Sequence, residues 1–141
     1  MTIPMPFRRL RTSWLPLALG LFLAGCGPSI VQVKGRVVRG GKPLPTSKKE
    51  GLLMITLMSI AEGDKMPEVF GAETDQQTGV FRVPGLKRKG IPAGKYKIGV
   101  EQMYGRDKDR LQGAFSISNS PILRDIKGQD IEIDLDQPGS N

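Results

Sequence analysis

The side chains of this 141-residue chain that could do chemistry are few, and the missing types decide as much as those present. There is no histidine, and Cys26 is the single cysteine. Without an imidazole, no side chain titrates near neutrality at its ordinary pKa. That removes Ser-His-Asp and Cys-His nucleophilic arrangements and histidine-based zinc sites. A lone cysteine closes no disulfide within its chain, so its thiol is left for attack or for modification. Carboxylates are the remaining candidates. Asp75 sits in a turn sequence, where an aspartate bonds its own backbone more readily than a metal. Asp107-Lys108-Asp109 looks like a scrap of a calcium loop, but such a loop needs several more spaced oxygen ligands and a glycine, and here basic residues interleave the acids. Asp130, Glu132, Asp134 and Asp136 form a row along one strand, not a pair converging on a cleft as glycoside hydrolysis requires. No catalytic, cofactor-binding or metal-binding residue is expected, and the chain is expected not to be an enzyme.

The surroundings of Cys26 say what its thiol is for. Arg8, Arg9 and Arg11 precede an apolar run from Trp14 to Ala24, and the run ends in Leu23-Ala24-Gly25-Cys26. A basic start, an apolar middle and small residues at the end are the three parts of a secretory signal. The run contains Pro16 and falls well short of the ~20 residues that span a bilayer, which argues against an uncleaved anchor. The tetrapeptide resembles the lipobox of bacterial lipoprotein signal peptides. That resemblance implies cleavage after Gly25, a thioether-linked diacylglycerol on Cys26 and an acyl chain on its amine. Two or more chains hold a protein stably at a membrane without a transmembrane helix. Gly27, in place of an aspartate after the cysteine, favours the outer membrane; the periplasmic face of the envelope is the wider expectation. The pair Arg8-Arg9 leaves both general and twin-arginine export open.

Removing the first 25 of 141 residues leaves 116, enough for one domain with one core. Eighteen basic and fourteen acidic residues remain, so the formal charge falls from +7 to +4. The basic positions are scattered, apart from Lys48-Lys49 and Lys87-Arg88-Lys89, so nucleic acid is not an expected partner. The expected division is a leader over 1–25, a lipidated cysteine and short tether over 26–29, a β-domain over 30–137 and a tail over 138–141.

From Ile30 onward the apolar residues recur with period two, without a sustained helical repeat. Val31, Val33 and Val37 alternate with polar residues ahead of the turn sequence Gly40-Gly41-Lys42-Pro43. Leu52 to Ile60 is apolar on both faces and reads as a central strand. Val69 to Thr74 and Val80 to Val83 flank the turn at 75–79 as a hairpin. Gly85 to Pro92 reads as a basic loop. Tyr96, Ile98 and Val100 then face one way along a strand, and residues 104–113 read as a charged, mobile loop. Phe115 to Ile117, Ile122 to Ile126 and the run Ile131, Ile133, Leu135 are further strand candidates. The pattern predicts an all-β chain, a single antiparallel β-sandwich of about seven strands.

Three runs carry a narrower resemblance. They are residues 33–45 (Val-Lys-Gly-Arg-Val-Val-Arg-Gly-Gly-Lys-Pro-Leu-Pro), Thr74-Asp75 followed by Gly79-Val80-Phe81, and residues 91–98 (Ile-Pro-Ala-Gly-Lys-Tyr-Lys-Ile). Together they resemble the carboxypeptidase regulatory-like, or transthyretin-like, β-sandwich domain, over roughly residues 31–136. Enzymes on that fold rely on histidine clusters, which this chain lacks. The motif residues are turn and core positions that specify fold rather than function. The lipobox, with an all-β domain lacking catalytic residue types, leads to the expectation of a non-catalytic, lipid-anchored envelope module. Its expected role is interaction or structure, with an envelope protein as its partner. The other reading is a module that binds carbohydrate or another envelope polymer. Sugar sites use exposed aromatic platforms, and Tyr104, at the mouth of the charged loop, is the candidate contact.

Overall fold

A computed structural model describes residues 27–47 and 49–139. The lipobox residues Leu23, Ala24 and Gly25, the lipidation candidate Cys26 and the whole leader lie outside the described residues. Twelve strand segments make up almost all of the regular structure: β1 (Ile30–Val31), β2 (Val33–Arg39), β3 (Lys42–Pro43), β4 (Leu52–Ser59), β5 (Val69–Gly71), β6 (Glu73–Thr74), β7 (Val80–Val83), β8 (Ile91–Pro92), β9 (Gly94–Tyr104), β10 (Lys108–Asp109), β11 (Leu123–Ile126) and β12 (Ile131–Asp134). The chain is all-β.

One five-stranded sheet is built around β9, the longest strand. β4 lies on one side of it with β5 beyond, and β10 and β11 share the other side at its two ends. The second sheet runs β12-β2-β7-β6, and β3 folds back on β2. The β2–β3 turn places Gly40 and Gly41 at φ of 57° and 74°, the geometry of a tight hairpin turn that only glycine adopts without strain. β5 and β6 are two halves of one crossing, with Ala72 between them. The Ala72 amide still bonds the Ile55 carbonyl of the first sheet, while Glu73 already pairs with Arg82 of the second. The predicted hairpin across residues 75–79 is therefore present, but its first strand is shared between the two sheets.

Alternation places the core. Val33, Val37, Phe81, Val83 and Ile133 from one sheet meet Leu53, Ile55, Leu57, Tyr96, Ile98 and Val100 from the other in one buried cluster. Two sheets closed over one core are compatible with a β-sandwich. Contrary to the expectation for Leu52 to Ile60, only one face of β4 is buried; Leu52 and Met54 on its other face are exposed.

Two further expectations are corrected. Among the described strands, all pairings are antiparallel except that β12 runs parallel to β2, with Ile131 opposite Gly35 and Ile133 opposite Val37. The connection from β2 to β12 passes through the other sheet, and period-two patterning records which face is buried, not direction or partner. Residues 115–117 form no strand. Successive turns bond Ala114 to Leu111, Ser116 to Gly113 and Asn119 to Ser116, and the Asn119 side chain caps the Gly113 carbonyl. Short polar side chains here offer the backbone local partners that compete with a ladder.

Candidate functional site

Tyr104 is the last residue of β9, partly exposed at 38 %, and it faces Lys108 across the β9–β10 ladder. The Lys108 ammonium lies 5.9 Å from the ring centroid and the Arg110 guanidinium 5.4 Å from it, both within cation–π range. The ring that sequence reasoning offers as a sugar platform thus already carries two cations.

The charged loop behind it is folded. Asp109 Oδ1 accepts the amides of Gln102 (2.8 Å) and Leu111 (2.9 Å), and its Oδ2 accepts the amide of Gly113 (2.9 Å). Leu111 is buried, which ties the loop to the core. The acid that looked like a calcium ligand is spent on backbone amides. Arg110 bonds Glu50 at 2.6 Å and the Lys49 carbonyl at 2.8 Å. Beside it opens a cleft of about 460 Å³, lined among others by Arg39, Lys42, Leu44, Glu50 and Arg110 and by the buried Gln102. Gln102 is held by a 2.8 Å bond to the Pro45 carbonyl. Three cations against one carboxylate suit polar or anionic groups, and no nucleophile–base pair lines the cleft.

The opposite end receives the tether. β1 pairs with β8, and the Ala93 amide donates to the Ser29 carbonyl at 2.7 Å. An open cleft of about 790 Å³ lies here, with Pro28, Ile60, Met66, Ala93 and Tyr96 among its walls. Met66, at the tip of the β4–β5 connection, is 88 % exposed. Tyr96 donates its hydroxyl to the Pro92 carbonyl at 2.7 Å; burial, with the charge of Glu68 adding, pushes its pKa above the ordinary phenol value.

On the same end, a single tight turn over Leu86–Arg88 holds Lys87 and Arg88 at φ of 51° and 60°. For residues with a Cβ this left-handed backbone costs about 1–2 kcal/mol each. The turn is nonetheless fixed by bonds from Leu86 to the Gly90 carbonyl (3.1 Å), from Lys89 to the Leu86 carbonyl (3.0 Å) and from Gly90 to the Pro84 carbonyl (3.0 Å).

Three polar residues were not singled out from sequence. Arg124 faces inward on β11 at 8 % exposure, bonding the Leu123 and Pro138 carbonyls, while its Nη2 has no partner among the described residues. Burial lowers its pKa below the usual guanidinium value. Its spacing from Ile122 and Ile126 was the available signal, since all three share one face. Gln76 grips β4 by accepting the Leu53 amide (2.8 Å) and donating to the Leu53 carbonyl (3.1 Å). Nothing in its turn sequence announces that contact. Gln102 occupies an inward register of β9, again a polar residue on the core face.

Asp75 behaves as its turn position predicts. The Gln77 amide donates to it at 2.9 Å, and that bond, with help from Thr78, holds its pKa below the ordinary value. Among the described residues, no three cysteine or carboxylate side chains converge to hold an ion. Compared with known proteins, the chain matches no family model, no curated protein and no solved structure.

Proposed function

We propose that this protein is a non-catalytic lipoprotein of the cell envelope, held by lipid on Cys26, whose β-domain serves as an interaction or structural module. The observation that carries the reading is spacing. The lipobox-like run Leu23–Cys26 ends three residues before Ser29, whose carbonyl is already bonded into the fold. A domain that starts so soon after its anchor has no use for a long reach and meets neighbours at the membrane. The absence of histidine supports a non-catalytic role, as does the engagement of the acids: Asp109 with backbone amides, Glu50 with Arg110, and Glu132 with Arg36 at 2.7 Å.

We further propose that the domain is of the transthyretin-like class, a reading supported by the positions of its three motif runs. They fall at the β2–β3 hairpin, the β6–β7 hairpin and the β8–β9 entry. Crosslinking in intact cells followed by purification from membranes tests the module role. A discrete, reproducible envelope protein partner supports it, and recovery of the protein alone under several growth conditions contradicts it.

A second reading is favoured by the cleft beside Tyr104, where Arg39, Lys42 and Arg110 gather. In this reading the domain binds an envelope polysaccharide or other polymer. A glycan array decides it: binding lost with Tyr104→Ala supports the reading, and no binding, or binding indifferent to the substitution, refutes it.

A further inference from the structure

We infer that the turn at Leu86–Lys89 is a membrane-contact tip that rests on anionic phospholipid headgroups; the inference stands on the lipid-anchor reading of Cys26. Position comes first. The Lys89 carbonyl accepts the side-chain amide of Gln32 at 2.7 Å, and Gly90 is packed against the backbone of Val31, leaving no room for a side chain. The tip is therefore welded to the segment that leads to the anchor. Gln32, whose side chain holds the tip, lies six residues beyond Cys26, and at roughly 3.5 Å per residue this allows the tip's attachment no more than ~20 Å from the lipid-bearing residue. Within that reach the tip can be laid on the headgroup layer, where fixed charges within a screening length of roughly 8 Å at physiological salt feel a charged bilayer.

Chemistry comes second. Leu86 is 57 % exposed, and Lys87, Arg88 and Lys89 follow it, all exposed. Arg88 is drawn aside by Glu73 at 3.3 Å, but Lys87 and Lys89 have no ion pair among the described residues. An exposed leucine beside two ammonium groups that have no ion pair among the described residues matches the headgroup layer, with an apolar contact and cations at the phosphates. Acids of this end lie away from the tip: Glu62, Asp64 and Glu68 on the β4–β5 connection and Asp125 on β11. Charge at the membrane end is thus divided, and the field of an anionic surface tilts the domain onto its basic side.

Form comes third. Two consecutive non-glycine residues are held left-handed in a turn fixed by three backbone bonds and one side-chain bond. Strain kept in so rigid a turn fits a surface that must present its side chains in one arrangement.

The test uses the processed, lipidated protein in vesicles carrying nitroxide-labelled lipid. Trp14 is the single tryptophan and lies in the leader, so Leu86→Trp gives the mature chain one fluorescent reporter. A Tyr104→Trp protein reports from the far end. In vesicles with about one-third phosphatidylglycerol, Trp at 86 is expected to be quenched several-fold more than Trp at 104. Quenching at 86 should fall by about fivefold or more in pure phosphatidylcholine, with Lys87→Glu/Lys89→Glu, or in about 0.5 M salt. The inference is overturned if the bound protein shows no quenching at 86, equal quenching at both sites, or quenching indifferent to lipid charge. Protein that keeps its leader or lacks lipid by mass spectrometry refutes the anchor reading instead, a separate outcome.

Discussion

The Ala93 amide and the Ser29 carbonyl, 2.7 Å apart, fasten the incoming chain to the start of β9. This bond extends the short β1–β8 ladder by one step toward the N-terminus, so the domain begins where its tether does. The two ends of the molecule then take different tasks. The strapped end carries the tether, the basic tip and exposed Met66; the far end carries the Asp109-centred loop, Tyr104 and the cleft beside it.

Asp109 is the organiser of that far end, because one carboxylate satisfies three partly buried amides. Hydrogen bonds to a charged group contribute about 1.5–3 kcal/mol, and removal leaves the donors unpaired. Asp109→Ala is expected to destabilise the domain by about 3 kcal/mol and Asp109→Asn by about half as much, read from urea unfolding midpoints. A loss under about 0.5 kcal/mol for the alanine variant would contradict this role.

Gly35 of β2 lies opposite Ile131 of β12, where there is no room for a side chain. A Cβ there would collide with the Ile131 carbonyl and the Phe81 ring, both part of the packed second sheet. Overpacking of that kind costs about 1–3 kcal/mol. Gly35→Ala should fall at the upper end, because one colliding atom is backbone. Thermal unfolding that matches the parent protein would show that the parallel β2–β12 contact is looser than described.

The core was legible because alternation at Val33–Val37, Tyr96–Val100 and Ile131–Leu135 reports burial directly. The turns at Gly40-Gly41 and at Gly79 were legible because positive φ selects glycine. What was hidden depends on partners distant in sequence. The parallel partner of β12 lies about a hundred residues upstream, and no local pattern encodes it. The loop at 104–113 read as mobile from its charge, yet the buried Leu111 and the three bonds to Asp109 fold it. Tyr104 was legible as an aromatic at a strand end; its two cation neighbours follow from the β10 fold-back, which a charged stretch does not announce.

Left-handed Lys87 supplies a prediction with the opposite sign. Glycine at that position relieves about 1 kcal/mol of backbone strain, partly offset by its greater freedom in the unfolded chain. Lys87→Gly is expected to raise the midpoint of thermal unfolding by a few degrees while removing one membrane-facing charge. A lowered midpoint would show that the lysine makes a stabilising contact that offsets its strain.

Acid should weaken the domain through Glu73. The Arg82 side chain donates to it at 2.8 Å, and that bond, with the charges of Arg88 and Arg82, holds its pKa below the ordinary 4.5. A carboxyl that titrates lower folded than unfolded stabilises fully above its unfolded value, and the contribution disappears as pH falls through the folded one. The pair is exposed, so the effect is small and salt-sensitive. Unfolding midpoints should decline below about pH 4.5, and Glu73→Gln should flatten part of that decline. A Glu73→Gln profile identical to the parent's would remove this pair as a source of acid sensitivity.

The central claim rests on Cys26, and one measurement addresses it most directly: fractionation of cells expressing the full chain or Cys26→Ser, with intact mass determined on each product. The account predicts a parent protein in the membrane fraction, beginning at Cys26 and heavier by a diacylglycerol and an acyl chain. It predicts that the serine variant carries no lipid and accumulates unprocessed or in soluble form. A parent protein of unmodified mass, or a Cys26→Ser protein processed and retained at the membrane like the parent, would contradict it.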